Sequence, residues 1–215
     1  MKKVNFCADI SAWQKGFDFK KYAETFESIV IKGGQGSEQD YLNFQIFYEK
    51  ATENNLKAIA YWFADCSAPI EYQAVEFLNR LMKVGYKSKV VVIDYEWTNS
   101  VNKRSNSPTE IAHFIDFFHR NGYKVVLYSG RYFLQGKKVT PEELGADYFW
   151  VSNYGKNIDY TMEMTEGVNF EDLKETAKIG KCDMWQFTCK MKYIHTANLD
   201  FNYIFNPEIF DYEHN

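Results

Sequence analysis

The sequence has few of the residues that bind metals or form disulfides, because its 215 residues include only four cysteines and four histidines. No two cysteines have the short spacing that is typical of zinc sites or disulfide frameworks. The sequence therefore predicts reduced, buried thiols at Cys7, Cys66, Cys182 and Cys189. The four histidines are His113, His119, His195 and His214. None of them forms a ligand pair beside the acidic residues described below. A metal-dependent hydrolase is thus the weakest hypothesis, and we expect neither a metal nor another cofactor.

Long apolar runs and basic runs are also missing. No stretch reaches the roughly 18 apolar residues that span a bilayer, and no lysine or arginine run stands out in a chain of net charge −4. Residues 1–9 include two lysines, but Asn5 and Asp9 interrupt the segment, so no Sec signal is visible. We expect synthesis in the cytoplasm, no membrane insertion and no nucleic-acid partner.

The sequence does contain an apolar run, VVVI at 90–93, that leads into Asp94 and Glu96. Four consecutive β-branched residues favour a strand buried on both faces, as in a parallel sheet or barrel covered by helices. Because side chains alternate along a strand, Asp94 and Glu96 are predicted to point to the same side. They lie at the carboxyl end of this strand, where parallel barrels keep their chemistry.

Two carboxyl groups at this place can carry out acid-base chemistry. Like charges so close push their pKa values apart, which leaves one group ionised and the other protonated near neutral pH. Such a pair can donate a proton to a leaving oxygen while it stabilises positive charge on the departing carbon, as glycoside hydrolysis requires. The alternative is a solvated strand end at which Tyr95 and Trp97 supply the packing.

The remaining segments indicate strands that alternate with helices. Eight short strands are predicted at 4–9, 28–33, 58–64, 90–96, 124–129, 148–153, 183–187 and 198–203. Helices are predicted at 44–54, at 70–85 and from the N-cap Ser107 to Asn121. The later connections look irregular, so we expect an α/β fold, an irregular TIM-like β/α barrel with about five βα units followed by three strands. Residues 1–215 are expected to form a single domain.

Aromatic residues are abundant, at 18% of the chain. Their rings can line a groove as platforms for the apolar faces of sugars, or they can form an ordinary Tyr- and Phe-rich core.

Eight short segments carry a resemblance to a known family, and they occur in the family's order over nearly the whole chain. They are DISAWQ at 9–14, IKG at 31–33, AYWF at 60–63, IDYE at 93–96, LYS at 127–129, WVSNY at 150–154, WQFT at 185–188 and LDFN at 199–202. With them the chain resembles glycoside hydrolase family 25, the Chalaropsis-type lysozymes common among bacteriophage endolysins.

The resemblance implies a flattened, irregular β/α barrel that acts on the glycan strand of peptidoglycan. The implied reaction is hydrolysis of the β-1,4 bond between N-acetylmuramic acid and N-acetylglucosamine. We expect retention, and we favour participation of the substrate's acetamido group over a direct nucleophile. The resemblance assigns Glu96 as the general acid/base. Asp94 is the second carboxylate, either a nucleophile or the group that orients the substrate's acetamido oxygen. The implied substrate-binding residues are Asp9, Asp200, Lys32, Tyr61, Phe63, Tyr128, Trp185 and Gln186.

The chain departs from the family pattern at two places. Where the family often has Tyr-His-Phe, this chain has YWF at 61–63, so the role of that histidine is lost or is replaced by ring stacking. After Lys32 the family often has a threonine and a glutamate, whereas this chain has GGQG at 33–36. These departures bear on contacts to the saccharide and leave the acid pair intact.

Two other functions remain open from the sequence. One is a sugar-binding barrel without turnover, against which the presence of both Asp94 and Glu96 argues. The other is a hydrolase of a different N-acetylated polysaccharide, such as chitin. The last predicted strand ends about a dozen residues before the end of the sequence, which leaves no room for a cell-wall-binding module, so we expect either that such a module was removed or that the domain works alone. The protein is expected to act on the cell wall after release.

Overall fold

Eight strands form a closed barrel, and each strand contains one of the short β-branched or aromatic runs of the sequence. A computed structural model describes residues 2–38, 42–98, 104–154, 158–193 and 198–210. The strands are β1 Lys3–Ile10, β2 Phe26–Gln35, β3 Lys57–Phe63, β4 Val90–Asp94, β5 Lys124–Gly130, β6 Tyr148–Ser152, β7 Met184–Met191 and β8 Leu199–Ile204. They pair in chain order, and β8 closes the barrel against β1. The predicted β/α barrel is confirmed.

The last strand runs against its neighbours, which the sequence did not predict. Strands β1 to β7 pair in parallel, but β8 is antiparallel to both β7 and β1. The start of β8 therefore lies beside the carboxyl ends of the other strands. As a result, Asp200 is the register partner of Asp9, although one residue is near the start of its strand and the other is near the end.

The helices cover the barrel mainly in the first half of the chain. Their bounds are α1 Phe19–Ala23, α2 Leu42–Glu53, α3 Ile70–Lys83, α4 Pro108–Arg120, α5 Arg131–Lys137 and α6 Phe170–Thr176, with short 3-10 turns at Ala12–Gln14, Met162–Thr165 and Pro207–Phe210. The three predicted helices correspond to α2, α3 and α4. Helix α4 begins with the expected capping box, in which the Ser107 side chain accepts from the backbone N–H of Glu110. No described helix has the length and apolar character needed to cross a membrane.

Strand alternation separates two apolar regions. Every second strand residue points into the barrel, and this inner cluster includes Cys7, Val30, Ile59, Val90, Val92, Val126, Tyr148, Met184 and Ile204. Ile209 and Phe210 join the same cluster from the C-terminal 3-10 turn. The intervening residues point outward and pack under the helices. All five residues of β4 are buried, as predicted for a strand covered on both faces.

The four cysteines are free thiols, as predicted. Only two of them have the expected full burial, because Cys7 and Cys182 are buried whereas Cys66 and Cys189 are half-buried.

Glycines after Lys32 allow β2 to pass close to α3. The register of β2 against β3 shifts between Lys32 and Gly34. A Cβ added at Gly34 would lie 2.5 Å from Nη1 of Arg80 and 2.5 Å from Cζ3 of Trp62. Trp62 points outward and is fully buried, and its Nε1 donates to Oε1 of Gln73 at 3.0 Å. The tryptophan at the family's histidine position therefore packs under α3 and does not stack in the mouth of the barrel.

We predict that Gly34→Ala lowers the free energy of unfolding by about 1–3 kcal/mol, because the added methyl overpacks the layer under α3. Denaturant unfolding followed by circular dichroism measures the change. The matched control is Gly136→Ala in α5, where a new Cβ meets nothing within 4 Å and stability is expected to stay equal or rise. Equal effects of the two substitutions would contradict the close approach at Gly34.

Candidate active site

The carboxyl ends of the parallel strands form a cavity of about 260 Å³ at the mouth of the barrel. Its lining is largely polar, although the interior below it is apolar. The lining residues are Asp9, Tyr61, Asp94, Glu96, Tyr128, Trp150, Ser152, Tyr154, Gln186 and Asp200. They come from seven of the eight strands, all except β2, or from the residues just after them, so the cavity depends on nearly the whole barrel.

Most of the residues predicted for the site meet in this cavity. Those that line it are Asp9, Tyr61, Asp94, Glu96, Tyr128, Gln186 and Asp200. Lys32 and Phe63 are not part of the lining but lie beside it. Phe63 is the register partner of Asp94, and Nζ of Lys32 lies 5.7 Å from the centre of the Phe63 ring. Lys32 also donates a hydrogen bond to Gln35.

The structure corrects the prediction that Trp185 binds substrate, since Trp185 does not line the cavity. Gln186 points into the mouth, so alternation turns Trp185 to the outer face of β7. There it is buried, and its Nε1 donates to the backbone oxygen of Asn153 at 2.9 Å. Its ring packs edge-on against Phe170 at 6.2 Å. Its place is the layer between the barrel and α6.

Asp9 is the centre of a buried hydrogen-bond network that includes residues not predicted for the site. Its Oδ2 accepts from Nδ2 of Asn202 at 2.8 Å and from Nε2 of Gln186 at 2.9 Å. Oε1 of Gln186 accepts in turn from the hydroxyls of Tyr128 at 2.7 Å and Tyr154 at 2.6 Å. These bonds fix the amide orientation of Gln186 and hold Asp9 in one position.

Four residues were missed, namely Asn202, Trp150, Ser152 and Tyr154, and strand alternation would have found the first three of them. Asn202 is two residues after Asp200 and so faces the same side of β8. Trp150 is the register partner of Tyr128, and its Nε1 donates to Oδ1 of Asn202 at 2.9 Å. Tyr154 follows the end of β6, and no pattern in the sequence gives its direction.

Asp94 is the most exceptional group of the cavity. It is only 7% exposed, and its Oδ1 has no hydrogen-bond partner among the described residues. Burial raises the pKa of Asp94 well above its usual range, and the nearby charge of Glu96 raises it further, while Lys32 acts in the opposite direction. A buried carboxyl oxygen without a donor favours the protonated form and leaves an acceptor free for a ligand.

Glu96 lies just after the end of β4, and its neighbour Tyr95 holds this segment in place. The Tyr95 N–H donates to the Tyr128 carbonyl at 2.9 Å, and the Tyr95 carbonyl accepts from the Ser129 hydroxyl at 2.7 Å. The phenol of Tyr95 donates to the backbone oxygen of Asn106 at 2.9 Å. Burial raises the pKa of Glu96, Lys32 lowers it, and Asp9 raises it. Glu96 is therefore a positioned carboxyl group with an increased tendency to keep its proton.

Four carboxyl groups share this cavity, and Lys32 is the amine that acts on Asp94 and Glu96 among the described residues. Burial raises the pKa of Asp200 to about 8, with further contributions from Asp9 and Glu96. Burial also raises the pKa of Asp9 to about 6, against the hydrogen bonds from Asn202 and Gln186. Burial lowers the pKa of Lys32, while the surrounding carboxylates act to raise it. The cluster therefore holds protons near neutral pH, and it can supply one to a bound substrate.

No three acidic, cysteine or histidine side chains are arranged to hold a metal ion within the described part of the chain. His195 and His214 lie outside the described residues. His119 is on α4, where its Nε2 is 2.8 Å from Oδ2 of Asp147, away from the cavity.

Comparisons with known proteins find one matching family model and several similar solved structures. Residues 8–195 match the family model described as Glycosyl hydrolases family 25. The chain is similar to the catalytic domain of endolysin ply40 from a bacteriophage of Listeria monocytogenes, with a TM-score of 0.73 and 20% identity over 96% of each chain. It is also similar to the glycosyl hydrolase 25 virulence factor GHIP of Streptococcus pneumoniae, with a TM-score of 0.72 and 17% identity over 96% of this chain and 90% of that one.

A bacterial lysozyme from Streptomyces coelicolor has a TM-score of 0.66 and 18% identity over 94% of this chain and 92% of its own. At these identities the structural likeness shows the fold. No curated protein sequence matches the chain.

The raised pKa values predict that stability falls as the pH rises. The folded protein keeps a proton on Asp200 up to about pH 8 and on Asp9 up to about pH 6, whereas the unfolded chain releases both near 3.8. The folded state therefore binds more protons in this window, and each such group lowers the free energy of unfolding by up to about 1.4 kcal/mol per pH unit. Thermal unfolding at pH 5, 7 and 9 measures the trend.

Asp200→Asn should flatten this dependence between pH 5 and pH 8, because the amide does not titrate. The exposed Glu53→Gln is the matched control and should leave the slope unchanged. A stability profile that rises from pH 5 to pH 9, or one that Asp200→Asn leaves unaltered, would show that Asp200 is not a protonated buried group.

Proposed function

The chain belongs to glycosyl hydrolase family 25, and we propose that it hydrolyses the β-1,4 bond between N-acetylmuramic acid and N-acetylglucosamine in peptidoglycan. The observation that carries this proposal is the pair of carboxyl groups, buried Asp94 and half-buried Glu96, in one cavity at the mouth of the barrel. The names of the structural relatives support the choice of substrate, since they include a bacterial lysozyme, fungal muramidases and phage endolysins. A lysozyme or endolysin role in cell-wall lysis follows from the same substrate.

Glu96 is the general acid of the proposed reaction. Its burial favours the neutral carboxylic acid, which can donate its proton to the glycosidic oxygen as the C1–O bond breaks. Glu96 then carries a negative charge, and it can take a proton from the water that attacks C1 in the second step. The hydrogen bonds of Tyr95 keep the Glu96 carboxyl group in a fixed position at the mouth of the barrel through both steps.

Asp94 orients the substrate in the version of the mechanism that we propose. Its free Oδ1 can accept a hydrogen bond from the N–H of the substrate's acetamido group, which places the acetamido oxygen behind C1. This oxygen then forms the bond to C1 while the leaving oxygen departs with the proton of Glu96. Water opens the resulting ring from the leaving-group side, so the β configuration is restored.

The same hydrogen bond sets the position of the proton shared by the two acids. A donor at Oδ1 of Asp94 stabilises its ionised form and lowers its pKa. The remaining proton then favours Glu96, because two ionised carboxylates in one buried cavity repel each other. Binding of an N-acetylated sugar would therefore place the proton on the group that needs it.

The proposal predicts that Glu96→Gln abolishes turnover while the protein still folds. The amide keeps the volume of the side chain but cannot donate a proton, so the rate on purified peptidoglycan should fall by at least about 10²-fold. New reducing ends measure the rate, and mass spectrometry identifies the sugar at each end. The wild type should release N-acetylmuramic acid ends and act poorly on chitin. Activity of Glu96→Gln above about a tenth of the wild-type rate would remove Glu96 from the role of acid.

The role of Asp94 predicts a dependence on the acetamido group. A glycan that lacks the N-acetyl group on the cleaved sugar should be nearly inert with the wild type, because it has no internal nucleophile. Asp94→Asn should keep a measurable fraction of the activity on the N-acetylated glycan, since its amide oxygen still accepts the N–H. Mass spectrometry of a trapped reaction provides the opposing test. A glycosyl ester on the peptide that contains Asp94 would make Asp94 the nucleophile and refute the acetamido pathway, but not the muramidase function.

A further inference from the structure

One side of the cavity mouth carries exposed aromatic rings and half-buried cations, outside the residues that line the cavity. We name it the α5 rim and define it by Trp97, Arg131, Tyr132 and Lys137. Trp97 is the residue after Glu96, and Arg131 is the first residue of α5, directly after β5. Trp97 is 45% exposed and Tyr132 is 75% exposed. The rim therefore stands next to the catalytic acids and faces solvent.

The α5 rim is held rigidly against the segment that carries Glu96. Phe133 is buried, and its ring meets Trp97 edge-on at 5.0 Å and Tyr95 edge-on at 4.8 Å. Nζ of Lys137 lies 4.7 Å from the centre of the Trp97 ring and 5.3 Å from that of Phe133. Tyr95 also fixes Glu96. The edge-on contacts of Phe133 with Tyr95 and Trp97 therefore place the Lys137 ammonium at a defined position relative to the proposed acid.

The cations of the α5 rim have no carboxylate partner among the described residues. Neither Arg131 nor Lys137 forms an ion pair within the part of the chain that the structure describes. The guanidinium of Arg131 lies 6.0 Å from the Tyr132 ring, so both cations contact aromatic faces. Residues 131–138 contain three cations and no acid, in a chain whose net charge is −4. An aromatic contact leaves the other side of each cation free for an external anion.

We propose that the α5 rim binds carboxylate groups of the peptide stems that peptidoglycan carries on its muramic acid residues. This inference rests on the proposed function. A muramidase breaks the bond at C1 of muramic acid, so that sugar and the lactyl-linked peptide on it lie against Asp94 and Glu96. The stem carries free carboxylates, which complement Arg131 and Lys137 in charge, and small apolar groups that fit the faces of Trp97 and Tyr132.

The test compares the double variant Arg131→Gln/Lys137→Gln with the wild type on two substrates. One substrate is purified peptidoglycan that keeps its stems, and the other is the same glycan after an amidase has removed them. Exposed ion pairs are individually weak, so the double variant should lose about 5-fold in rate at limiting concentration of the stem-bearing substrate. It should equal the wild type on the stripped glycan. Equal loss on both substrates, or no loss on either, would overturn the proposal.

Two controls separate the specific effect from a general charge effect. The variant Lys20→Gln/Lys50→Gln removes the same number of exposed charges from α1 and α2, far along the chain from the α5 rim, and should behave as the wild type. Walls with and without their anionic phosphate polymers form the second control. If the loss follows these polymers and not the stems, the rim binds phosphate and the proposal is wrong.

A binding measurement distinguishes failure of this inference from failure of the proposed function. The probe is N-acetylmuramoyl-L-alanyl-D-glutamate, compared with its uncharged diamide, and the indole N–H signal of Trp97 reports binding by NMR. The wild type should prefer the diacid about 5-fold, and Arg131→Gln/Lys137→Gln should lose this preference. A wild type that cleaves peptidoglycan but shows no preference refutes the rim assignment alone. A wild type that prefers the diacid but cleaves nothing refutes the proposed function and leaves the carboxylate site standing.

Discussion

The burial of four carboxyl groups around one cavity is the constraint on which the rest of the site depends. Asp9, Asp94, Glu96 and Asp200 cannot all be ionised in a space where, within the described part of the chain, Lys32 is the one amine that acts on Asp94 and Glu96. The molecule meets this constraint in part by hydrogen bonds and in part by protonation. Asp9 receives two amide donors, whereas Asp94 receives none at Oδ1. Asp9 and Asp94 carry the same carboxyl group, so they differ in hydrogen bonding only because their environments differ.

The amide network around Asp9 shows how the barrel supports this arrangement. Gln186 and Asn202 come from adjacent strands, and each has its amide orientation fixed by a second contact, to Tyr128 and to Trp150 respectively. A rigid network below the acids limits their motion, so the cost of ordering them is met in folding and not at each turnover. The antiparallel direction of β8 is part of this arrangement, because it pairs Asp200 with Asp9 and pairs Asn202 with Cys7, from where the Asn202 amide reaches Asp9.

The sequence predicted the barrel, the acid pair and most of the cavity because these follow from local patterns. The run at 90–93 is β-branched throughout, and the position of the two acids after it needs only the period of a strand. Trp185 was assigned to the wrong face because a motif names neighbouring residues together, whereas a strand sends them to opposite sides. The direction of β8 and the register shift after Lys32 were beyond the sequence, since both arise from pairing between distant segments. Tyr154 was missed for the same reason, because its position depends on Gln186 of the neighbouring strand β7, 32 residues along the chain.

The aromatic residue between the two acids joins the cavity to the surface beside it. The alternation that turns Asp94 and Glu96 into the mouth also turns Tyr95 outward, into contact with Phe133. Phe133 in turn supports Trp97, so the segment 94–97 and the first turn of α5 form one packed unit. A large ring at position 95 thus has two effects that a small residue could not combine: it fixes the height of Glu96, and it links that height to the exposed rings of the rim. Any substrate group held at the rim is therefore held at a set distance from the acid, which is the condition for binding energy outside the cavity to assist the chemistry within it.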